Sequence, residues 1–110
     1  MRLSLNASAN LAKPSLDTLR AHARQAEADG FAGWWLAQTG MVDALSVFIA
    51  AAADAPNIEF GTAVIPTYPR HPTMLASQAS TAQAAVGGRL TLGIGLSHKP
   101  QVGPVGNVVR

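Results

Sequence analysis

The sequence predicts an α/β fold built on a parallel β-sheet. Four short apolar segments with β-strand character alternate with three amphipathic segments whose apolar residues recur at helical spacing. The strand segments begin about 27 to 30 residues apart, the usual length of a strand, a helix and the return to the next strand. This alternation requires parallel pairing through right-handed crossovers. An open doubly wound sheet and a (β/α) barrel both satisfy it.

The first strand and first helix occupy the N-terminal third of the chain. Residues 3–5 show β-type alternation, and Pro14 with Ser15 marks the start of a helix. Gly30 ends this helix as a left-handed cap. The apolar face of the helix is predicted to consist of Leu16, Leu19, Ala23 and Ala26.

The second pair of elements follows directly. Residues 31–36 are aromatic and apolar, which indicates a strand, and residues 41–55 form the second helix, which Pro56 and Asn57 stop. The predicted buried stripe of this helix is Val42, Leu45, Phe48, Ile49 and Ala52.

The remaining elements are two strands around a third helix. Residues 58–65 form a β-branched strand that Gly61 interrupts, and Pro72 opens a helix that ends at Gly87. Residues 89–96 alternate as the fourth strand. The segment 99–110 holds two prolines, two glycines and no helical stripe. We therefore expect a βαβαβαβ unit over residues 1–98 and an irregular tail over 99–110.

Composition narrows the classes of function. The chain has 110 residues, 48% of them apolar and 13% charged, and a net charge of +2 without a basic run, which argues against nucleic-acid binding. The absence of cysteine excludes disulfides and thiolate metal sites. No signal peptide or bilayer-spanning apolar segment is recognisable, so we expect a cytoplasmic protein that does not enter a membrane.

Polar residues gather where each predicted strand ends, the edge at which parallel α/β folds bind ligands. Gln38 follows the second strand, the segment 66–72 carries Arg70 and His71 after the third, and Ser97 and His98 follow the fourth. Asp43 lies close enough to face such a site, but it also suits the first turn of a helix.

Several chemistries lack the residues they need. Gly93 and Gly95 match only the first two positions of a dinucleotide fingerprint, with no helix after them. Metal-binding, nucleophile-elbow and phosphate-loop motifs are absent, so we expect no metal. Neutral polar groups with one or two histidines suit chemistry that a bound cofactor performs, and hydride transfer is the simplest case.

Three segments carry a family resemblance. In chain order they are AEADGFAGWWLAQ, GTAVIPTYPRHP and AQAAVGGRLTLGIGLSHKP. Together they resemble the N-terminal half of the bacterial luciferase-like (β/α)8 oxidoreductases, and most closely the members that use the deazaflavin coenzyme F-420. The resemblance covers residues 1 to about 100. It implies about four βα units of a barrel of TIM type, hydride exchange with a small organic substrate, and coenzyme F-420 or, alternatively, FMN in a monooxygenase.

The resemblance also assigns roles to residues. It implies a bulge in the third strand with a non-prolyl cis peptide bond between Ala63 and Val64, so that Ala63, Val64 and Ile65 support the cofactor ring. Gln38 would orient the ring or the substrate by hydrogen bonds. His98 would be the proton donor and Ser97 a cofactor contact.

The remaining strands of such a barrel are missing after His98, so the chain resembles a truncated barrel. Such a half barrel exposes strand edges and an apolar inner face, which predicts a homo-oligomer or a complementary half-barrel partner. Two interpretations stay open: an oxidoreductase, and a half-barrel module that only self-associates and is inactive alone.

Overall fold

The computed structural model describes residues 2–8, 15–38, 42–67 and 70–95. Its elements, in chain order, are β1 (Ser4–Asn6), α1 (Leu16–Ala28), β2 (Gly33–Leu36), α2 (Ala44–Ala51), β3 (Glu59–Thr62), β4 (Ile65–Pro66), α3 (Pro72–Ala85), β5 (Leu90–Thr91) and β6 (Ile94–Gly95). The predicted alternation of strands and helices is confirmed. The predicted boundary at residue 98 and the tail lie outside the described residues.

The strands form a parallel sheet in the order β1, β2, β3, β5, which β4 and β6 extend as a second parallel pair. The order in space therefore follows the order in the chain. A doubly wound sheet reverses its strand order at a switch point, whereas a barrel keeps consecutive strands adjacent. The described residues thus have the arrangement of part of a (β/α) barrel.

The helix ends agree with the capping signals in the sequence. The Ser15 hydroxyl accepts from the Thr18 amide at the start of α1, and Gly30 follows its end with a φ of +90°. Pro72 occupies the first turn of α3 as predicted, and Gly87 and Gly88 follow that helix with positive φ. In the described part of the chain, no helix is both long and apolar enough to cross a bilayer.

The buried face of α2 differs from the prediction. The helix begins at Ala44 because the carboxylate of Asp43 accepts from the Ser46 amide and caps it. Val47 is buried on this helix, while Ile49, predicted on the buried stripe, is 41% exposed. Likewise Leu16, predicted on the buried face of α1, lies exposed at the first position of that helix.

The core lies between the sheet and the helices, and an aromatic cluster occupies its centre. Trp34 packs edge-on against Phe48 and Phe60, with ring centroids 6.1 and 6.3 Å away. All three side chains are fully buried. The indole N–H of Trp34 donates to Nδ1 of His22 on α1 at 2.9 Å, so the one polar atom of this buried ring has a partner.

Arg89 closes the core at the end of the sheet where β5 begins. Its guanidinium donates to the carbonyl oxygens of Ala55 and Ile58 at 2.7 and 2.6 Å, and its Nε donates to that of Val86. The same group lies 5.2 Å from the ring centroid of Phe60. One side chain therefore joins the ends of α2 and α3 to the start of β3.

Candidate functional site

The candidate site lies at the carboxyl ends of β2 and β3, where the structure brings two of the predicted segments together. The amide of Gln38, just beyond β2, donates to the carbonyl oxygen of Val64 at 3.1 Å. On the same side, the amide of Ala63 donates to the carbonyl oxygen of Leu36 at 2.8 Å. Ser97 and His98, the other two predicted site residues, lie outside the described residues.

The third predicted strand is divided into β3 and β4 by a bulge at Ala63 and Val64. Three residues separate Gly61 from Ile65, whereas two separate their partners Thr91 and Ile94. The strand therefore carries one extra residue at this point, and such bulges re-aim the backbone near functional sites. The fourth predicted strand is likewise divided, into β5 and β6. The peptide bond between Ala63 and Val64 is cis, the bond that the resemblance indicated.

The three residues predicted to support a ring differ in accessibility. Ala63 and Val64 are exposed, and Val64 keeps 41% of its surface. Ile65 is fully buried in the core, because the strand alternation directs its side chain to the helix-covered face. The accessible surface of the bulge therefore belongs to Ala63 and Val64.

Trp35 provides an aromatic wall beside the bulge. Successive residues of a strand point to opposite faces, so Trp35 lies on the face away from Trp34 and the helices. A β-carbon at Gly61 would lie 2.5 Å from atoms of the Trp35 ring, which shows that the indole lies against the bare backbone of β3. Sequence reasoning did not select Trp35, although two consecutive tryptophans in one strand place one of them on each face.

An open pocket adjoins this indole on the inner face of the sheet. It has a volume of about 310 Å³ and is lined by Ser4, Asn6, Trp35 and Ala63. All four lining residues are uncharged. The pocket therefore suits a flat, neutral ligand surface better than a charged group.

The side chain of Gln38 braces its own loop. Its Nε2 donates to the carbonyl oxygen of Val42 at 2.6 Å, and its Oε1 accepts from the amide of Ala44 at 2.8 Å. Ala44 is the first residue of α2, so this amide belongs to the unpaired donors of a helix start. Gln38 thus joins the end of β2, the bulge and the start of α2.

An ion pair connects the loops that follow β2 and β4. The guanidinium of Arg70 donates to the carboxylate of Asp43 and to Oε1 of Gln78, the latter at 2.9 Å. Burial alone would raise the pKa of Asp43, but hydrogen bonds from Ser46 and Arg70, and the positive charge of Arg70, outweigh it and lower that pKa below its ordinary value. Of the two roles considered for Asp43, the structure shows the helix cap.

His71 also has a capping role. Its Nδ1 accepts from the amide of Thr73 at 3.1 Å at the start of α3. That nitrogen is occupied by the helix, so only Nε2 remains for contact with a ligand.

Comparison with known proteins identifies the family. The family model for luciferase-like monooxygenases matches residues 1–107. The chain belongs to the luciferase-like monooxygenase family. The family resemblance of the sequence is thereby confirmed.

Individual proteins similar to this chain show how much of a relative it spans. It is 39% identical over 70 residues to 4-hydroxyprotoasukamycin monooxygenase from Streptomyces nodosus subsp. asukaensis, a match over 63% of this chain and 18% of that protein. It superposes with a TM-score of 0.84 and 22% identity on the oxygenating constituent of 3,6-diketocamphane monooxygenase from Pseudomonas putida, solved in complex with FMN. That alignment covers 98% of this chain and 33% of the other.

A third relative uses a different cofactor. The coenzyme F420-dependent tetrahydromethanopterin reductase from Methanopyrus kandleri superposes with a TM-score of 0.75 and 24% identity over 91% of this chain and 28% of that one. This luciferase-like chain therefore spans about a third or less of the length of these relatives and has the fold of part of their barrel.

Proposed function

We propose that this chain forms the ring-binding part of a luciferase-like oxidoreductase, with the tricyclic ring of coenzyme F-420 or of FMN held against the bulge at Ala63 and Val64. The observation that carries the proposal is the exposed bulge beside an open, uncharged pocket with an indole wall. Family membership supports an oxidoreductase, because the relatives are named as monooxygenases and a reductase.

The residues present fit a tricyclic ring. The pocket of about 310 Å³ stands at the lower end of the range of small-molecule sites, which is room for a ring rather than for a whole cofactor. Trp35 and Ala63 offer apolar surface, and Asn6 and Ser4 offer neutral hydrogen-bonding groups. None of these four residues is a cation, so we expect the phosphate-bearing tail to lie outside this pocket.

Within this proposal the protein supplies binding and orientation. Bound F-420 would supply hydride exchange at C5 of its deazaflavin, and bound reduced FMN would supply the reaction with oxygen. Ala63 and Val64 would support one face of the ring and exclude water from it. Gln38 would fix the bulge and the neighbouring helix start. His98 as proton donor and Ser97 as a cofactor contact belong to the proposal through the family resemblance.

Both F-420 and FMN carry a ring that fits the pocket, and different observations favour each of them. The three sequence segments that resemble F-420 enzymes favour hydride transfer to or from a small organic substrate. The FMN-containing relative and the monooxygenase with 39% identity favour an FMN-dependent oxygenation. We place the F-420 reaction first and the FMN reaction second.

Titration of the 110-residue chain with F-420 and with FMN tests the proposal. We expect saturable binding of one of them, seen as quenching of tryptophan fluorescence and a shifted absorbance of the cofactor. Trp35→Phe is the matched control for the fluorescence signal, because it removes the pocket indole and leaves the buried Trp34 in place. Binding of neither cofactor below millimolar concentration would reject the ring site and leave the non-catalytic half-barrel module.

The proposal includes a partner for the inner face and edges of the sheet. Leu3, beside β1, and Ile94, in β6, are both more than half exposed. Apolar side chains near sheet edges favour a second copy of the chain or a complementary half-barrel. Light scattering coupled to size exclusion should give twice the monomer mass, and a monomer at all concentrations would contradict self-association.

A further inference from the structure

The hydroxyl of Thr62 occupies the point where the pairing of β3 with β5 is broken. Its Oγ1 donates to the carbonyl oxygen of Gly93 at 2.8 Å and accepts from the amide of the same residue at 2.7 Å. Thr62 is 1% exposed, and it is the one buried polar residue within the described ranges. One side chain therefore satisfies both backbone groups of Gly93.

The two hydrogen bonds between Thr62 and Gly93 replace part of the regular ladder between β3 and β5. The Phe60 amide donates to the Arg89 carbonyl, and a ladder continued from there would direct the amide of Gly93 to the backbone carbonyl of Thr62. The hydroxyl of Thr62 accepts from the Gly93 amide instead. The Gly93 carbonyl accepts from the amide of Ile65 at 2.9 Å, which begins the pairing of β4 with β6.

Gly93 is suited to this close approach because it has no side chain. A β-carbon there would collide with the carbonyl oxygen of Thr62, a backbone atom that cannot move aside. The extra residue of the bulge therefore lies between two fixed points. Thr62 holds the chain to Gly93 before the bulge, and Ile65 holds it to Gly93 after the bulge.

We infer that Thr62 is a positioning residue for ligand binding: its hydroxyl sets the register change that presents Ala63 to the pocket and leaves Val64 exposed beside it. This inference rests on the proposed function for its ligand, while the hydrogen bonds that carry it are independent of any ligand. Without the hydroxyl, the amide of Gly93 loses its partner in a part-buried site and its carbonyl oxygen keeps only the bond from Ile65, so the two strands gain by sliding back toward a regular ladder.

Two matched pairs of variants isolate the hydroxyl. Thr62→Val keeps the shape of the side chain and removes the hydroxyl, whereas Thr62→Ser keeps the hydroxyl and removes a methyl group. If Thr62→Val does not fold, Thr62→Ala is compared with Thr62→Ser, because these two also differ by one hydroxyl. Thr91→Val, at an exposed position of β5, is the control for a threonine-to-valine change in the same sheet.

The first measurement is the dissociation constant for whichever of F-420 or FMN the unaltered chain binds, at a denaturant-free condition where each variant is folded. We expect Thr62→Val to weaken binding about tenfold or more, and Thr62→Ser and Thr91→Val to stay within about threefold. Equal affinity of Thr62→Val and the unaltered chain would overturn the inference, and so would equal weakening by Thr62→Val and Thr62→Ser.

The second measurement is hydrogen exchange at the amides of Gly93 and Ile65, which needs no ligand. We expect both to exchange about tenfold faster or more in Thr62→Val, with little change in Thr62→Ser. Unchanged protection in Thr62→Val would overturn the inference whether or not a cofactor binds. If the unaltered chain binds neither cofactor, the proposed function fails, and hydrogen exchange at Gly93 and Ile65 decides whether Thr62 sets the bulge.

Discussion

The amide of Gln38 donates to the carbonyl oxygen of Val64 at 3.1 Å, and this bond joins the end of one strand to the bulge in the next. The same residue uses its side chain to hold the loop that leads into α2. The accessible bulge is therefore supported from two sides, by Gln38 just beyond β2 and by Gly93 between β5 and β6. A rigid backbone at this point is what orientation of a flat ligand requires.

Gln38→Ala should lower the free energy of unfolding by about 1 to 2 kcal/mol, because two part-buried hydrogen bonds are lost and the Ala44 amide stays unpaired at a helix start. Urea denaturation followed by circular dichroism measures this change. Gln25→Ala removes one exposed side-chain hydrogen bond to Asp29 and should cost less than about 0.5 kcal/mol. Similar values for the two variants would contradict the bracing role of Gln38.

The loss of stability on replacing each of three glycines by alanine should depend on the atoms that the new methyl group contacts. At Gly95 it meets a methyl group of Val64 at 3.0 Å, and at Gly61 it meets the ring of Trp35 at 2.5 Å. At Gly93 it meets a backbone carbonyl oxygen. We expect a small loss of stability for Gly95→Ala, about 1 to 3 kcal/mol for Gly61→Ala, and a larger loss for Gly93→Ala. Thermal unfolding of the three variants gives the order, and Gly93→Ala as the mildest change would refute it.

These glycines show where prediction from sequence ends. Periodicity and capping residues predicted α1 and α3 closely, because Ser15, Gly30 and Pro72 act on neighbouring backbone within a few positions. The reasons for Gly61 and Gly93 lie about 26 to 31 residues away in the chain, in the Trp35 ring and the Thr62 carbonyl. A run that looked like one strand was therefore two strands and a bulge.

The candidate site was predictable only in part for the same reason. Gln38 and the bulge adjoin because parallel strands end at one edge, which the alternation of strands and helices predicts. Prediction of the indole wall needed one further step: Trp34 packs on the helix-covered face of the sheet, so Trp35 must lie on the opposite face. The capping roles of Asp43 and His71 depend on where α2 and α3 begin, to within one residue.

Acid should weaken the fold through Asp43. Its pKa is lowered in the folded chain, so its contribution to stability is present above the ordinary aspartate pKa of about 4 and is lost as the pH falls below that value, through the folded pKa. Asp43→Asn keeps a helix cap and loses the charged bond to Arg70.

We expect Asp43→Asn to be about 1 kcal/mol less stable at pH 7, since the pair is only part-buried, and to lose less stability than the unaltered chain between pH 4 and pH 2. Urea denaturation at a series of pH values measures both effects. Parallel curves of stability against pH for the two chains would show that Asp43 does not carry this acid sensitivity.

Arg89→Lys should be costly although it keeps the charge. Lysine cannot reproduce the planar fork that contacts the carbonyl oxygens of Ala55, Ile58 and Val86 at once. We expect a loss of about 2 to 4 kcal/mol in the free energy of unfolding, because buried carbonyl groups lose their donors. Arg2→Lys is the control: its pair with Glu59 is largely exposed, so the change should stay within about 0.5 kcal/mol. Equal small effects at both positions would contradict the anchoring role of Arg89.

A bulky side chain at the bulge should separate ligand binding from stability. Ala63 is exposed and lines the pocket, so Ala63→Leu places extra atoms in the space proposed for the ring without disturbing the core. We expect cofactor binding to weaken about tenfold or more while the free energy of unfolding changes by less than about 0.5 kcal/mol. Ala21→Leu, at an exposed position of α1, is the matched control and should leave affinity unchanged. Undiminished cofactor affinity in Ala63→Leu would place the ring elsewhere, because a leucine at this position and a ring against the bulge cannot share the same 310 Å³.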